Sequence, residues 1–475
     1  MIFAPISSAT LERTQIGCNA VVVCLLMAIS VWTFGTEGIG VACAMAVALM
    51  VPQWLYRRMS HHDSRGGLLL AVVGALMVAW AFYNIYLWTA AVGLPLHTPQ
   101  LQSDAASYFR WAHNHYHGIP NDCDTKFIGF PLIVLLSWQL LGQSIAWPIA
   151  INVMLTLLAV VFIGLTACRL LEGRVSIRNR QIALLAMAGT SVLFYYLSHA
   201  SLLLKEPVTY FAVAIAAYAI AYFKCPNIST KSLRTSVALF AASIALMAIA
   251  RTGVIYFILA GVVLAWADNR SMWRFALTLS GIALIGIGVG ILLSNGFSTE
   301  VQMRIVAGTN NGGDMMGKVY ESRNIYATIM GSYFSLPVWQ KILLLPVTCI
   351  VQTFIPFPWV NTEELTVVSF ATRCQWGWYA IAGIAIFYLL FCSWRKRSLG
   401  FWGLWPFVCF ALAAFSTGGS VSRYALPYQP LFVIVALWVV CKAREHKRLR
   451  ALALWCAAYT ALTALILTYS YLQTH

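Results

Sequence analysis

The sequence predicts an all-α protein that crosses a membrane many times. Hydrophobic residues make up 60% of its 475 residues, charged residues make up only 10%, and the mean hydropathy is +0.77. Soluble globular domains of ordinary composition do not have these values. Many apolar windows reach the roughly 17 to 25 residues that a helix needs to cross a hydrocarbon core. Because lipid offers no hydrogen-bonding groups, the backbone in those windows must be helical.

About thirteen apolar segments are predicted to span the membrane, and residues 1–475 are expected to form a single transmembrane domain. The first segment is interpreted as a helix and not as a signal peptide, because a second apolar segment follows almost at once without a convincing cleavage site. The predicted spans are 16–34, 38–56, 67–92, 147–170, 182–198, 205–223, 235–250, 252–267, 273–293, 376–393, 400–416, 425–441 and 450–472.

Two further apolar segments, 128–142 and 341–358, are short and contain prolines, so we expect them to be interfacial or re-entrant. With both excluded and the N-terminus cytoplasmic, about two thirds of the 31 Lys and Arg residues lie on the cytoplasmic side. That side holds only about one third of the 15 Asp and Glu residues. The basic residues are therefore topology signals, and the net charge of +16 does not indicate a nucleic-acid partner.

Two long segments face outward in this topology, and function is expected there. Segment 93–146 is the first outer loop with interfacial helices, and 294–375 is the second, with a re-entrant or interfacial segment. Connections of this length seldom serve only to join helices. These two also carry most of the acidic and aromatic residues outside the spans. We therefore expect a multi-pass protein of the bacterial inner membrane whose active site faces the periplasm or cell exterior.

The first outer loop contains a short amphipathic helix with an acid at its start. It reads SDAASYFRWAHNHYHG, Ser103 to Gly118, and Asp104 shares a helical face with Tyr108, four residues later. Asp104 is the candidate catalytic residue, and its alternative role is to cap the helix. Tyr108 is a candidate substrate-binding residue.

Three histidines follow in the same helix, but no metal ligands are predicted. Only His113 and His117 share a face, and His115 points elsewhere, so an ordinary interfacial helix is the better interpretation. The sequence requires no cofactor, and it leaves the use of a divalent metal open.

Three cationic residues recur at predicted outer ends of helices: Lys205, Arg251 and Arg423. Ionisable residues at a membrane boundary are costly unless they are paired or functional. Arg251 divides the apolar stretch 235–267 and is expected in a hairpin turn outside the bilayer. We expect the three cations to converge on one outward-facing cavity near Asp104. Snorkelling to the interface or local ion pairing is the alternative for each of them.

The start of the helix after Lys205 has the features of a phosphate site. Lys205 and Glu206 precede Pro207, and proline is favoured at the first position of a helix. The free N–H groups and the positive dipole end of such a helix attract anions. Glu206 and Tyr424 join Tyr108 and the three cations as predicted substrate-binding residues, and pairing of Lys205 with Glu206 is the alternative.

The order of these motifs resembles the GT-C superfamily of membrane glycosyltransferases, specifically the bacterial relatives of protein O-mannosyltransferases and of lipid A aminoarabinose transferases. In that family an Asp and a Tyr of the first outer loop precede a Gly-aromatic-Pro-Leu interfacial helix and a span that ends in basic residues. The matching residues here are Asp104, Tyr108, Gly129, Phe130, Pro131, Leu132 and Arg169. Weaker matches are LLLKEP at Leu202 to Pro207, ARTG at Ala250 to Gly253 and SRYALPYQPL at Ser422 to Leu431.

The resemblance implies an inverting transfer of a sugar from a polyprenyl-phosphate donor to an extracytoplasmic glycan, polysaccharide or lipid. Its partners would be the donor, the acceptor and membrane lipids, with no nucleic acid. One alternative is a repeat-unit polymerase of the Wzy type, which uses a pyrophosphate donor. The other is a lipid or oligosaccharide transporter, which we would expect to carry polar residues at mid-bilayer or paired broken helices.

Overall fold

The described part of the chain is helical throughout. The computed structural model describes residues 8–60, 64–92, 96, 103–120, 129–175, 177–224, 229–293, 333, 336–354, 367–391, 399–417, 424–445 and 447–474. Within these ranges the regular elements are α-helices and short 3-10 turns, with no strand. The predicted all-α fold is thereby confirmed.

Eighteen α-helices are described. They are α1 (Ser8–Phe34), α2 (Glu37–Met59), α3 (Ser64–Trp88), α4 (Ser103–Tyr116), α5 (Gly129–Leu141), α6 (Ala146–Leu171), α7 (Asn179–Ser191), α8 (Phe194–Ser198), α9 (Glu206–Ile220), α10 (Thr230–Ala250), α11 (Gly253–Asp268), α12 (Trp273–Leu293), α13 (Val338–Phe354), α14 (Val367–Arg373), α15 (Trp376–Phe391), α16 (Trp405–Thr417), α17 (Gln429–Glu445) and α18 (Leu449–Thr474).

Among the described helices, nine are long and apolar enough to cross a membrane, which confirms a polytopic protein. These are α1, α2, α3, α6, α9 with the turn that follows it, α10, α12, α17 with the turn that precedes it, and α18. The bent pair α7 and α8 and the shorter apolar helices α11, α15 and α16 coincide with the other predicted spans. The count of thirteen stays a prediction, as does the interfacial or re-entrant placement of α5 and α13.

The predicted span 182–198 is not one straight helix. α7 ends at Ser191, and the helical segment Phe194–Ser201 continues at an angle of 72°. The hydroxyls of Thr190 and Ser191 donate to the carbonyl oxygens of Ala186 and Met187, one turn back. Such back-bonding commonly bends helices. A hydropathy profile does not detect a bend of this kind.

The centre of the protein is formed by α6, α9 and α17, and the first and last described helices, α1 and α18, lie at its edge. In the most apolar window of the span Glu206–Lys224, 89% of the residues are buried, against 11% for the span of α1. Helices approach closely at glycines. A Cβ on Gly164 of α6 would lie 2.8 Å from the side chain of Met187, and one on Gly261 of α11 would lie 2.4 Å from the Trp405 ring. Small residues at interfaces are the usual means of packing helices in lipid.

A polar cluster joins four segments at the end of the protein where α9 and α11 both terminate. Lys224 Nζ lies 2.7 Å from Asp268 Oδ2. The Asp268 carboxylate also accepts hydrogen bonds from the backbone N–H groups of Phe401 and Trp402, at 2.8 and 3.0 Å. Arg174 donates to the carbonyl oxygen of Lys224. In the predicted topology this is the cytoplasmic end, and it is distinct from the end that carries the candidate site.

Candidate functional site

The segment that leads into α9 is held by two buried asparagines. The side-chain amide of Asn152, on α6, donates to the carbonyl oxygens of Leu202 and Leu204, at 2.8 and 2.9 Å. Asn84, on α3, donates to the hydroxyl of Ser201 at 2.6 Å. An irregular segment inside a membrane protein must satisfy its carbonyl groups in this way. The position of Lys205 is therefore fixed by polar contacts to two neighbouring helices.

α9 begins at Glu206, directly after Lys205. Pro207 occupies the second helical position, one residue later than the sequence predicted, and its missing N–H is still one that the first turn would leave unpaired. Lys205 is half-buried, whereas Glu206 is only 1% exposed. The two neighbours are thus buried to different extents, and the alternative of a Lys205–Glu206 pair does not account for the burial of the carboxylate.

Glu206 forms an ion pair with Arg251, 45 positions away in the sequence. Arg251 Nη1 lies 3.7 Å from Glu206 Oε1, and both side chains are almost fully buried. Arg251 stands at the break between α10 and α11, as expected for a hairpin turn, with an extended backbone. Sequence reasoning gave Arg251 no local partner. The observed partner is indeed not local, because it comes from the start of α9.

Arg251 also contacts the segment that leads into α17. Its guanidinium carbon lies 4.2 Å from the centre of the Tyr424 ring, within the range of a cation–π interaction. Tyr424 is half-buried and precedes the 3-10 turn Leu426–Tyr428. Arg251 therefore joins three segments: the start of α9, the α10–α11 junction and the start of α17. Arg423 lies outside the described residues, so its predicted convergence is untested.

Lys205 faces the amphipathic helix of the first outer loop. Its Nζ lies 5.9 Å from the centre of the Tyr108 ring on α4. Tyr108 in turn makes an edge-to-face contact with Phe130 of α5, with ring centroids 5.5 Å apart. Asp104 is half-buried in the first turn of α4, one turn before Tyr108. The structure therefore places the helix that carries Asp104 beside Lys205.

Sequence reasoning missed Tyr210, which lies one turn after Glu206 on α9. The ring of Tyr210 stacks on that of Tyr196, with centroids 4.1 Å apart. The Tyr210 hydroxyl and Glu206 Oε2 are both buried, and in the described structure neither has a hydrogen-bond partner. Polar residues four apart at the start of an otherwise apolar helix were the available signal. Sequence reasoning also missed Asn84 and Asn152, for which the available signal was a lone asparagine inside an apolar helix.

The histidines of α4 form a chain of ring contacts. The His113 and His117 rings lie 4.5 Å apart, and the His115 ring stacks on Trp111 at 3.9 Å. His117 Nε2 is 3.3 Å from Gln143 Oε1. Within the described ranges no three His, Cys, Asp or Glu side chains come close enough to hold a metal ion.

One corner of the protein, at the start of α9, the end of α10 and the start of α17, is thus formed by Lys205, Glu206, Arg251, Tyr424 and Tyr108. We call it the charged corner. Positive charge there, with an acid-bearing helix alongside, suits the binding of an anionic group and proton transfer next to it. Fold and site together define a polytopic α-helical membrane protein whose described site charges lie at helix ends and not along a central channel.

No protein-family model and no curated protein matches the chain. Among solved structures, it is similar to the archaeal oligosaccharyltransferase AglB from Archaeoglobus fulgidus, which was solved in complex with an inhibitory peptide and a dolichol-phosphate. The sequences are 15% identical, the TM-score is 0.37, and the match covers 83% of this chain and 54% of the AglB chain. The chain therefore spans about half the length of that protein. At this TM-score the likeness does not show a shared fold or activity.

Proposed function

We propose that the protein is a GT-C-type membrane glycosyltransferase of the bacterial inner membrane, which transfers a sugar from a polyprenyl-phosphate donor to a hydroxyl of an extracytoplasmic glycan, polysaccharide or lipid. The observation that carries the proposal is the charged corner. Lys205 and Arg251, which are 46 positions apart in the sequence, are linked there through Glu206, and Lys205 faces the Tyr108 ring of the helix that bears Asp104.

The charged residues have different roles in the proposed reaction. The donor is a phosphodiester, whose polyprenyl tail lies in the bilayer and whose head group reaches the helix ends. When the bond between the sugar and the phosphate oxygen breaks, negative charge grows on the leaving phosphate. Lys205 and the N–H groups at the start of α9 stabilise that charge, and the buried Arg251 behind them adds to the positive potential. No nucleotide site is needed.

Asp104 acts as the general base. Its carboxylate takes the proton of the acceptor hydroxyl as the oxygen attacks the anomeric carbon. One displacement with the leaving phosphate on the opposite face inverts that carbon, and the reaction needs no carboxylate nucleophile. Half-burial at the first turn of α4 leaves Asp104 open to an acceptor that arrives from the outer surface. The residues require no metal for this scheme, and a divalent ion remains compatible with it.

The test is to reconstitute the purified protein in liposomes with a panel of polyprenyl-phosphate sugars and to measure release of polyprenyl phosphate. The proposal expects release with at least one donor, and Lys205→Met should reduce it at least tenfold. Lys231→Met is the matched control, because Lys231 is an exposed lysine at the start of α10, at the opposite end of the protein.

Two outcomes would contradict the proposal. Turnover of pyrophosphate-linked sugars alone would favour the polymerase. Movement of an intact lipid-linked sugar across the bilayer without cleavage would favour the transporter.

A further inference from the structure

A buried glutamine on α13 lacks hydrogen-bond partners among the described residues. Gln352 is 2% exposed, and neither its side-chain nitrogen nor its side-chain oxygen makes a hydrogen bond in the described structure. A primary amide carries two donors and an acceptor, and burying it unpaired costs free energy. Polar side chains in membrane helices usually bond to a neighbouring helix. The Gln352 amide is therefore free to bind a group other than its present neighbours.

Gln352 ends a row of polar residues on the inward face of α13. Lys341, Thr348 and Gln352 are spaced by seven and four residues, which places them on one face of the helix, and all three are buried. The opposite face carries Leu343 and Ile350, which are exposed. α13 thus turns polar groups toward the protein and apolar groups outward, as helices that line a polar site in a membrane do. We call the three inward residues the polar stripe.

Both ends of α13 are tied to neighbouring helices. Near its start, the hydroxyl of Tyr333 donates to the carbonyl oxygen of Phe415 on α16 at 2.8 Å, and the Tyr333 ring centre lies 5.8 Å from Lys341 Nζ. At its end, the indole N–H of Trp378 on α15 donates to the carbonyl oxygen of Thr353 at 2.8 Å. The polar stripe is therefore held in place from both sides.

The contacts of α13 lead to the charged corner. The Trp378 ring packs edge-to-face on Phe432, with ring centroids 5.4 Å apart. Phe432 lies in the first turn of α17, and the segment before that helix carries Tyr424 of the charged corner. In the predicted topology α13 also belongs to the second outer loop. A ligand on the polar stripe would thus lie on the side of the protein where the proposed transfer takes place.

We propose that the polar stripe binds the acceptor and that the acceptor is an oligosaccharide. This inference rests on the proposed function and deepens it, since it selects a glycan among the proposed acceptors. The Gln352 amide can donate to one sugar hydroxyl and accept from the next. The hydroxyl of Thr348 donates to the carbonyl oxygen of Leu345 at 3.0 Å and can still accept.

The length of the polar stripe favours a chain of sugars. From Lys341 to Gln352 it extends about 16 Å, at a rise of about 1.5 Å per residue, which is longer than one sugar ring. The acyl chain of a lipid acceptor would leave the amide unpaired, whereas linked sugars present hydroxyls along their whole length. Because the stripe is buried, binding requires α13 to move away from α16, and the acceptor selects that open state.

The experiment measures the binding of unmodified trisaccharides of glucose, galactose, mannose and N-acetylglucosamine to the full-length protein in detergent by calorimetry. At least one should bind, and Gln352→Leu should weaken its binding about tenfold, because hydrogen bonds to neutral hydroxyls are lost. The melting temperature of Gln352→Leu should equal or exceed that of wild type, because leucine leaves no unpaired amide. A lower melting temperature with unchanged binding would show a structural glutamine and overturn the inference.

Two further variants separate the polar stripe from the rest of α13. Gln340→Leu is the matched control, since Gln340 is a half-buried glutamine on the same helix but on a different face, and binding should not change. Thr348→Val is nearly isosteric and should weaken binding about threefold, because one hydrogen bond is lost. It keeps the test decisive if Gln352→Leu does not fold.

Two results would overturn the inference. One is a wild-type protein that binds none of the trisaccharides. The other is binding within about twofold of wild type in both Gln352→Leu and Thr348→Val, which is less than the loss of a hydrogen bond predicts. A wild-type protein that binds a trisaccharide but releases no polyprenyl phosphate from any donor would instead contradict the proposed function. The two failures are therefore distinguishable.

Discussion

The buried carboxylate of Glu206, at the start of α9, changes how the positive charges around it are interpreted. Taken alone, Lys205 and Arg251 suggest a strongly cationic phosphate site. Both side chains of the Glu206–Arg251 pair are almost fully buried, whereas Lys205 is half-buried and lies beside the Tyr108 ring. At the scale of single residues, we therefore propose direct contact with the donor for Lys205 and an electrostatic role for the buried Arg251.

Asp104→Asn is expected to abolish most glycosyl transfer, because an amide cannot accept the proton of the acceptor hydroxyl. Asparagine keeps the size and polarity of the side chain in the first turn of α4, so the melting temperature in detergent should stay within a few degrees of wild type. The rate of polyprenyl-phosphate release checks the first point.

Glu37→Gln is the matched control for Asp104→Asn, since Glu37 is also an acid in the first turn of a helix that begins on the predicted outer side. Its turnover should equal that of wild type. Turnover of Asp104→Asn close to that of Glu37→Gln would reduce Asp104 to a helix cap.

At the scale of elements, the site depends on how closely α5 packs against the end of α10. A Cβ on Gly129 would lie 2.3 Å from the carbonyl oxygen of Ile249, two residues before Arg251. Gly129 is also the first residue of α5, whose Phe130 ring contacts Tyr108. The close approach of these backbones therefore couples the α4 side of the corner to the Arg251 side.

Gly129→Ala should push α5 away from α10, because the clash is with backbone and not with a flexible side chain. We expect a stability loss of about 1 to 3 kcal/mol and weaker binding of polyprenyl methyl phosphate. Melting temperature and dissociation constant are the measurements. Gly281→Ala on α12 is the control, since nothing lies within 4 Å of its Cβ position. Equal behaviour of the two variants would show that the contact does not position the site.

Asp268→Asn tests the polar cluster at the opposite end. The change removes the ion pair with Lys224 and weakens the capping of the turn Gly400–Leu404, so we expect a loss of about 1 to 3 kcal/mol in thermal unfolding. Donor affinity should not change. Glu445→Gln, which breaks a more exposed ion pair with Lys442 on α17, should cost less than about 1 kcal/mol. A larger loss for Glu445→Gln than for Asp268→Asn would contradict this account.

Sequence patterns predicted the helices well and the pairings between them poorly. Apolar length gives the bounds of α2 or α6 to within a few residues, because a membrane span is a local property. The ends of α9, α10 and α4 were expected to meet because each carried a polar residue at a helix end. The Glu206–Arg251 partnership and the role of Asn152 depend on packing between distant segments, which one sequence does not specify.

At the scale of the whole molecule, the two polar clusters lie at opposite ends of α9. One contains Glu206 at its start, and the other contains Lys224 in the turn that follows its end. The positive-inside rule assigns the Lys224 end to the cytoplasm, with Arg174 in the same cluster. With that assignment we expect the charged corner on the extracytoplasmic side, where lipid-linked and not nucleotide-linked sugars are the proposed donors.

The orientation can be checked with reporter insertions. Alkaline phosphatase inserted after Gly118, which follows α4, should be active in the periplasm, and the same reporter after Gly173, which follows α6, should be inactive. The two glycines lie in turns with positive φ, where an insertion disturbs no helix. The reverse pattern would place the charged corner in the cytoplasm and remove the reason for a polyprenyl-linked donor.

The central claim is that the charged corner holds the phosphate of a lipid-linked donor. An experimental structure with a bound polyprenyl-phosphate sugar tests it most directly. We expect the phosphate within hydrogen-bonding distance of Lys205 Nζ and the first N–H groups of α9, with the sugar between it and Asp104. A phosphate bound instead beside Lys224 and Arg174, or midway along the helices, would contradict the claim.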